Sequence, residues 1–196
     1  CLKNIALADA VKKAIDGGVT IVQLREKRQS FDDTYNVVNL INNICVARDI
    51  PLIVNDNVEI AKQIGVAGVH LGIDDTDIAE ARAILGDDAI IGATAHNLQE
   101  ALEAQRKGAD YISIGAMFSS STKPNVQVLD RQVIKEIRDN IKLPLIAIGG
   151  ITADNVDQLD GRRLDGVAIA NAIFGQEDII SACKTLKEKV IKMINS

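Results

Sequence analysis

The chain has 196 residues, and its 27 acidic against 22 basic side chains leave a formal net charge of −5. With 47% hydrophobic residues it can bury a sizeable core, which excludes a disordered tail, and no apolar run approaches the roughly 18 residues of a membrane span. The acidic balance, with two Tyr, three Phe and no Trp, argues against a nucleic-acid-binding surface, which needs basic side chains and stacking rings.

Short runs rich in β-branched residues alternate with amphipathic stretches along the chain, and no linker or low-complexity block divides it. This alternation is typical of parallel strands joined by crossover helices, so we predict an α/β fold in one domain over residues 1–196. A helix-like pattern opens the chain over residues 5–15, and further helices are predicted over residues 31–47, 97–107 and 130–140. The predicted strands cover residues 19–26, 51–56, 68–72, 90–95, 111–118, 144–151 and 166–173.

Two architectures are compatible with these elements, an open doubly wound sheet and a closed (β/α)8 TIM barrel. The dinucleotide-binding pattern GxGxxG, expected after the first strand of an open sheet of the dinucleotide-binding type, is absent. Several predicted strands end instead in short polar or glycine-rich turns, as at Asn55-Asp56 and Gly149-Gly150, which favours the barrel. Because a barrel of this type closes with eight strands and only seven are visible, we expect the first strand to precede Cys1.

The first predicted strand carries a face that changes from apolar to cationic. Strict alternation groups its odd-numbered residues on this face: Ile21, Gln23, Arg25 and Lys27. Such a gradient is expected of a barrel interior that rises to an open mouth, and two cations at one strand end suit an anion such as phosphate or pyrophosphate. The alternatives are an edge strand with a solvated face, and cations that pair with neighbouring Asp residues.

Acidic residues follow the next two predicted strands. Asp56 could cap the following helix, but Asn57 can take that position and leave Asp56 free. Further along, Asp77 has capping-box spacing with the acid three residues later, which leaves Asp74 and Asp75 without a structural role. Carboxylates from two adjacent strand ends, close to cations, are typical of a Mg²⁺ site that shares its ion with substrate phosphates.

Three later segments either bind a further anion or only connect elements. The hydroxyl-rich residues 119–125, with Lys123 as their one cation, form a lid over the anion site or a flexible connector. The turns at Gly149-Gly150 and Ala170-Asn171 end two predicted strands, where the backbone N–H groups of a barrel frequently bind phosphate. A tight turn without a ligand is the alternative there.

The two histidines have no partner at metal-ligand spacing. We interpret both His70 and His96 as satisfied core residues. Asn97, next to His96, forms a cap-like pair with Glu100. No Ser-His-Asp or Cys-His constellation can be argued from spacing.

These motifs together resemble the thiamine-phosphate synthase family, from about Ala10 to the C-terminus. The resemblance rests on residues 22–27, Asn55-Asp56, residues 68–72, residues 109–111 and residues 147–151, in the family's order. It implies a (β/α)8 barrel that joins a hydroxymethylpyrimidine diphosphate to a hydroxyethylthiazole phosphate with release of pyrophosphate. The C–O bond to pyrophosphate would break first and the thiazole nitrogen would attack the resulting cation, so no protein nucleophile is required.

The resemblance also implies a set of site residues and a Mg²⁺ cofactor. Arg25, Lys27 and Lys123 are the catalytic residues it implies, because they would stabilise the departing pyrophosphate. The implied contacts are Gln23, Arg25, Lys27, Asn55, Thr94 and Lys123 for the pyrimidine diphosphate, Asp56 and Asp75 for Mg²⁺, and Ser120, Thr122, Gly150, Ala170 and Asn171 for the thiazole phosphate.

Two other functions remain alternatives, a thiazole tautomerase-like enzyme and a non-catalytic ligand-binding regulator of the thiamine pathway. The tautomerase typically has a histidine where this chain has Ala116. A regulator that only binds its ligand would not need the cations and acids of a leaving-group site, and this chain retains both. The expected partners are two small phosphorylated substrates, without nucleic acid or membrane; a homo-oligomer is left open. Three widely spaced cysteines and the lack of a signal-peptide pattern indicate a cytoplasmic protein.

Overall fold

The computed structural model describes residues 5–27, 29–119 and 127–196. Within them, seven strands form one parallel sheet whose spatial order is the order of the chain. The strands are β1 (Val22–Leu24), β2 (Leu52–Asn55), β3 (Gly68–Leu71), β4 (Ile90–Ala95), β5 (Tyr111–Ile114), β6 (Leu145–Ile148) and β7 (Gly166–Ala168). The helices are α1 (Leu7–Asp16), α2 (Phe31–Val46), α3 (Val58–Ile64), α4 (Ile78–Leu85), α5 (Leu98–Arg106), α6 (Arg131–Asn140), a 3₁₀ turn (Val156–Leu159), α7 (Asn171–Phe174) and α8 (Ile179–Ile194).

The sheet curls so that its first and fifth strands face each other across an interior. Gln23 on β1 lies close enough to Tyr111 on β5 to act on the pKa of its hydroxyl, although three strands lie between them in the sheet. Since all the ladders are parallel, the carboxyl ends of the strands meet at one edge. The predicted α/β fold of the TIM-barrel type is confirmed, and this edge is the one on which such barrels carry their chemistry.

Alternate side chains of each strand point outward and form the core against the helices. Val69 and Leu71 of β3 belong to a buried cluster with α2 and α3, and Ile112 and Ile114 of β5 belong to a second cluster with α5 and α6. The inward positions of these strands are polar or small, as at His70. Because successive side chains of a strand point to opposite faces, one face packs against the helices and the other faces the interior of the barrel.

Several strands are shorter than predicted. Beyond Ile114 the chain leaves the ladder, although the Met117 N–H still donates to the Ile148 carbonyl over 3.0 Å. Residues 171–173, predicted as the end of a strand, belong to α7 instead. Apolar side chains continue to pack past a strand end, so hydropathy does not mark where pairing stops. The shortened predictions are residues 19–26, 51–56, 68–72, 111–118, 144–151 and 166–173.

The two outer strands, β1 and β7, form no ladder with each other within the residues described. Nearby, α1 and α8 pack together through a third buried cluster that includes Ala10, Ala14, Cys183 and Leu186. The eighth strand expected before Cys1 stays a prediction. In the described part of the chain, no helix is long and apolar enough to cross a bilayer.

Candidate active site

One cation and two acids meet at the carboxyl edge of the sheet, just past the ends of β1, β2 and β3. Lys27 Nζ lies 3.0 Å from Asp56 Oδ2. The carboxyl groups of Asp56 and Asp75 lie close enough together for each to shift the pKa of the other, and the Gly72 N–H donates to Asp75 Oδ2 over 2.7 Å. The ion pair considered as an alternative for Lys27 is therefore present, and it lies inside a cluster that can also bind an anion.

Asp56 owes its position to an unusual backbone conformation. Its φ of +67° lies in the left-handed region, which costs a residue with a side chain about 1–2 kcal/mol. Its N–H donates to the His70 carbonyl over 2.9 Å, while Asn57 Oδ1 accepts the Ile60 N–H and so caps α3. The cap predicted at Asn57 is confirmed, and Asp56 is left without a capping role. Strain of this kind is typical of functional positions.

Asp75 is free of helix capping for a similar reason. Asp77 caps α4, since its Oδ1 accepts the Ala79 N–H over 2.9 Å, as its spacing predicts. Asp75 folds back onto Gly72 instead, where a Cβ atom would stand 2.8 Å from Asp75 Oδ2. A glycine at position 72 therefore leaves room for the carboxylate. Asp74, the neighbouring acid, is exposed to solvent.

The two carboxyl groups titrate as a pair. Burial raises the pKa of Asp56, and the hydrogen bond to Asp75 raises it further against the opposing effect of Lys27. Burial also acts to raise the pKa of Asp75, but the bonds from Asp56 and the Gly72 N–H, with Lys27 nearby, outweigh burial and lower it. Asp75 therefore loses its proton first as the pH rises, and Asp56 follows.

The donor set of this cluster fits Mg²⁺. Carboxylate oxygens are the ligands that Mg²⁺ prefers, and it usually completes its shell with water and substrate phosphates. Among the described residues, no group of three or more His, Cys, Asp or Glu could hold a metal by itself. Two acids beside a cationic face therefore suit an ion that is shared with a phosphorylated ligand.

The cationic face predicted from the sequence is present on β1 and the residues after it. Gln23, Arg25 and Lys27 are all exposed, while Leu24 between them is buried. An open cavity of about 540 Å³ adjoins Lys27 and Asp56 on the side of α3 and α4. Besides Asp56, three further acids line this cavity, namely Glu26, Glu59 and Glu80. Their negative charge disfavours a diphosphate there. The cationic inward face of β1 suits an anion better than this cavity does.

A buried hydrogen-bond network lies below the mouth. His70 Nδ1 is 3.0 Å from Tyr111 Oη, and His70 Nε2 is 3.0 Å from Thr94 Oγ1 and 3.2 Å from Ser113 Oγ. His70 is 5% exposed, and burial lowers its pKa to about 4. Burial raises the pKa of Tyr111 to about 12, although Gln23 acts against this shift. The interpretation of His70 as a satisfied core residue is confirmed.

Sequence analysis missed this network, although the strand register contained the signal. In parallel ladders, residues paired across strands point to the same face, and His70 pairs with Gly92, Gly92 with Tyr111, and Thr94 with Ser113. A Cβ atom at Gly92 would lie 2.0 Å from the Tyr111 ring, so this glycine makes room for the ring. Knowing the register would have placed these polar residues together.

His96 does not share the environment of His70. Its side chain is 55% exposed and lies at the start of α5, where the His96 N–H donates to Glu100 Oε2 over 2.7 Å. The interpretation of His96 as a core residue is wrong, because the strand ends at Ala95 and the next residue already faces solvent. The cap-like pair is confirmed, since Asn97 Oδ1 accepts the Glu100 N–H.

The ends of β6 and β7 form the other side of the mouth. Gly150 has a φ of +67°, and a Cβ atom there would lie 2.4 Å from the Phe118 carbonyl oxygen. Its own carbonyl accepts from Asn155 Nδ2 over 2.9 Å, which holds the turn. Ala170 and Asn171, at the start of α7, are exposed. Three predicted site residues lie outside the described residues: Ser120, Thr122 and Lys123.

Comparisons with known proteins agree on one family. The family model for thiamine monophosphate synthase matches residues 1–173. Thiamine-phosphate synthase of Clostridium beijerinckii is 43% identical over 187 residues, which cover 95% of this chain and 90% of that protein. The corresponding protein of Fusobacterium nucleatum is 42% identical over 185 residues, covering 94% and 88% of the two chains.

A solved structure gives the same result for the fold. The thiamine phosphate pyrophosphorylase of Pyrococcus furiosus superposes with a TM-score of 0.87 at 32% identity, covering 96% of this chain and 91% of that one. A 3-hexulose-6-phosphate synthase superposes with a TM-score of 0.69 at 15% identity, a likeness of fold alone.

Proposed function

The chain belongs to the thiamine monophosphate synthase family, and we propose that its reaction takes place at the carboxyl edge of the sheet, around Lys27, Asp56 and Asp75. Members of this family, this chain included, are transferases that join a hydroxymethylpyrimidine diphosphate to a hydroxyethylthiazole phosphate and release pyrophosphate. The observation that carries the assignment of the site is the meeting of one cation and two acids from three successive strand ends.

The pyrimidine diphosphate binds along the inward face of β1. Arg25 and Lys27 offset the negative charge that grows on the pyrophosphate oxygens as the C–O bond breaks, and Lys123 acts with them. Both described cations are exposed on the same face, which supports this role. The remaining contacts to the pyrimidine diphosphate come from Gln23, Asn55 and Thr94.

Asp56 and Asp75 would hold Mg²⁺ against the diphosphate. When bound, the ion supplies Lewis-acid stabilisation of the departing pyrophosphate. The closeness of the two acids supports this assignment, because two carboxylates held near each other favour a counter-cation once both have lost their protons. Lys27, paired with Asp56, keeps its ammonium group beside the leaving group.

The thiazole phosphate binds at the ends of β6 and β7. Backbone N–H groups near Gly150, Ala170 and Asn171 contact the phosphate, and Ser120 and Thr122 contribute hydroxyl groups. The left-handed turn at Gly150 and the exposure of Ala170 and Asn171 support this position.

The reaction needs no protein nucleophile. The C–O bond breaks with both electrons leaving on pyrophosphate, the pyrimidine ring delocalises the resulting cation, and the thiazole nitrogen lone pair forms the new C–N bond. The protein brings the two rings into line and excludes water from the cation. Both substrates are small phosphorylated molecules. We assign the reaction to the cytoplasm, where buried free thiols such as Cys45 and Cys183 stay reduced.

One assay tests this function and its site together. With both substrates and Mg²⁺, the protein is expected to release one pyrophosphate for each thiamine phosphate formed, and to form none when EDTA replaces the metal. Lys27→Met keeps the length of the side chain but removes its charge, and is expected to lower turnover about a hundredfold. Lys62→Met, an exposed lysine on α3, is the matched control. Full turnover of Lys27→Met in EDTA would contradict the proposal.

A further inference from the structure

We propose that His70 is a positioning residue that acts through Thr94, forcing the Thr94 hydroxyl to donate its proton into the mouth of the site. Thr94 is half-buried near the end of β4, whereas His70 and Ser113 are buried below it. The inference rests on the proposed function, in which Thr94 contacts the pyrimidine diphosphate.

Counting the available protons shows which group donates in each hydrogen bond of this network. Within the described residues, His70 Nδ1, 3.0 Å away, is the only hydrogen-bond partner of Tyr111 Oη. If Nδ1 carried the imidazole proton, the phenol proton of Tyr111 would find no acceptor among these residues. The single proton of Tyr111 therefore goes to His70 Nδ1. A neutral imidazole carries one proton, so it resides on Nε2.

That proton determines how the two hydroxyl groups must orient. His70 Nε2–H donates towards Thr94 Oγ1 at 3.0 Å and cannot accept a bond from Ser113. Ser113 Oγ has only His70 Nε2 and Thr94 Oγ1 as hydrogen-bond partners within the described residues, so its proton goes to Thr94, 3.3 Å away. Thr94 then accepts two bonds, which fill both lone pairs of its oxygen. Its own proton finds no acceptor in the network and points towards the mouth.

A hydroxyl whose proton is aimed in advance binds an acceptor better than one that rotates freely. The pyrimidine diphosphate offers phosphate oxygens and ring nitrogens as acceptors. In His70→Asn, Thr94 can give its proton to Ser113 instead, and we expect KM for the pyrimidine diphosphate to rise about tenfold, the size of one hydrogen bond to a charged group. KM for the thiazole phosphate is expected to stay unchanged.

Two further variants separate positioning from general damage. His70→Gln keeps an N–H near the position of Nε2 and is expected to restore most of the affinity that His70→Asn loses. Ser113→Ala removes a buried bond from the same network, but His70 Nε2–H still holds Thr94, so KM for the pyrimidine diphosphate is expected to change less than threefold. If His70→Asn does not fold, Tyr111→Phe breaks the same chain at nearly constant volume and is expected to raise the same KM.

The deciding measurement is a double-mutant cycle with Thr94→Ala. If His70 acts through Thr94, His70→Asn or Tyr111→Phe raises KM in the native background and has no further effect in the Thr94→Ala background. Additive effects would overturn the inference and leave the proposed function intact. An unchanged KM in Thr94→Ala alone would instead remove Thr94 from the substrate contacts, and the inference with it.

Discussion

At the scale of single residues, Asp56 lowers the stability of the fold at a position that we expect activity to require. It combines a left-handed backbone with a partly buried carboxylate next to a second acid. Both features cost folding free energy, and neither supports a helix or the core. Natural proteins keep such residues where function needs them.

Replacing Asp56 by Asn is expected to lower turnover at least about a hundredfold while the melting temperature stays the same or rises. Asn tolerates the left-handed conformation and removes the buried charge and its like-charged neighbour's repulsion. Turnover is measured across a Mg²⁺ titration, and melting by circular dichroism. Asp74→Asn, at an exposed acid nearby, is the control and is expected to keep full turnover. Equal turnover in the two variants would show that Asp56 is not part of the metal site.

The burial of His70 is expected to lower the free energy of unfolding in acid. Its pKa falls from an ordinary 6.5 to about 4 on folding, so between these values the unfolded chain binds a proton that the folded chain does not. Stability therefore decreases as the pH falls from about 6.5 to about 4, by about 3 kcal/mol from this residue. Urea denaturation at pH 7 and pH 4.5 is expected to show a smaller difference in His70→Gln than in the native protein. The same pH dependence in both proteins would contradict the prediction.

At the scale of elements, the same clamp joins a helix to two strands at both halves of the sheet. Asp110, just before β5, accepts the Ile91 N–H of β4 over 2.7 Å and pairs with Arg82 of α4 over 2.6 Å. Asp165, just before β7, accepts the Leu145 N–H of β6 over 2.8 Å and pairs with Arg138 of α6 over 2.9 Å. Each clamp ties the amino end of a strand to the preceding helix and the following strand. This edge lies opposite the site and serves stability.

Asp110→Ala is expected to destabilise the protein by about 2 kcal/mol, because it leaves the buried Ile91 N–H without its partner. Asp165→Ala is expected to cost a similar amount, and turnover per folded molecule to remain unchanged in both. Asp9→Ala, which breaks an exposed pair with Lys12, is the control and is expected to cost less than about 0.5 kcal/mol. Urea denaturation measures all three. A cost for Asp110→Ala no larger than that of Asp9→Ala would show that the clamp is dispensable.

At the scale of the whole molecule, the site draws on distant parts of the sheet, so binding couples to global stability. Lys27, Asp56 and Asp75 follow the first three strands, and Gly150 and Asn171 follow the last two. A ligand that contacts several of these loops binds the folded state and not the unfolded chain. Its binding free energy therefore adds to the free energy of unfolding.

Pyrophosphate with Mg²⁺ is expected to raise the melting temperature by about 5–10 °C at a hundred times its Kd. Pyrophosphate without Mg²⁺ is expected to give a smaller shift, because two acids then face the anion without a counter-cation. Lys27→Met is expected to lose most of the shift, and Lys62→Met to keep it. Thermal melts with and without EDTA provide the measurement. A full shift in Lys27→Met would remove Lys27 from the anion subsite.

The sequence by itself determined the α/β class, the order of the elements and the helix caps. The alternation of apolar runs predicts parallel strands and crossover helices, and Asn57, Asp77 and Asn97 cap their helices as their spacing indicates. The cationic face of β1 also follows from alternation alone. These features depend on residues close together along the chain, so local physics decides them.

Only the tertiary structure decided which distant side chains meet and where each strand ends. The tertiary structure selects Asp75, and not the exposed Asp74, as the neighbour of Asp56. The register of the sheet joins His70 to Tyr111 and Thr94, pairs that no spacing in the sequence reveals. Strand ends such as Ile114 are set by where ladder partners run out, while apolar side chains continue beyond them. Contacts between residues far apart in sequence depend on global packing, and a local pattern carries no record of them.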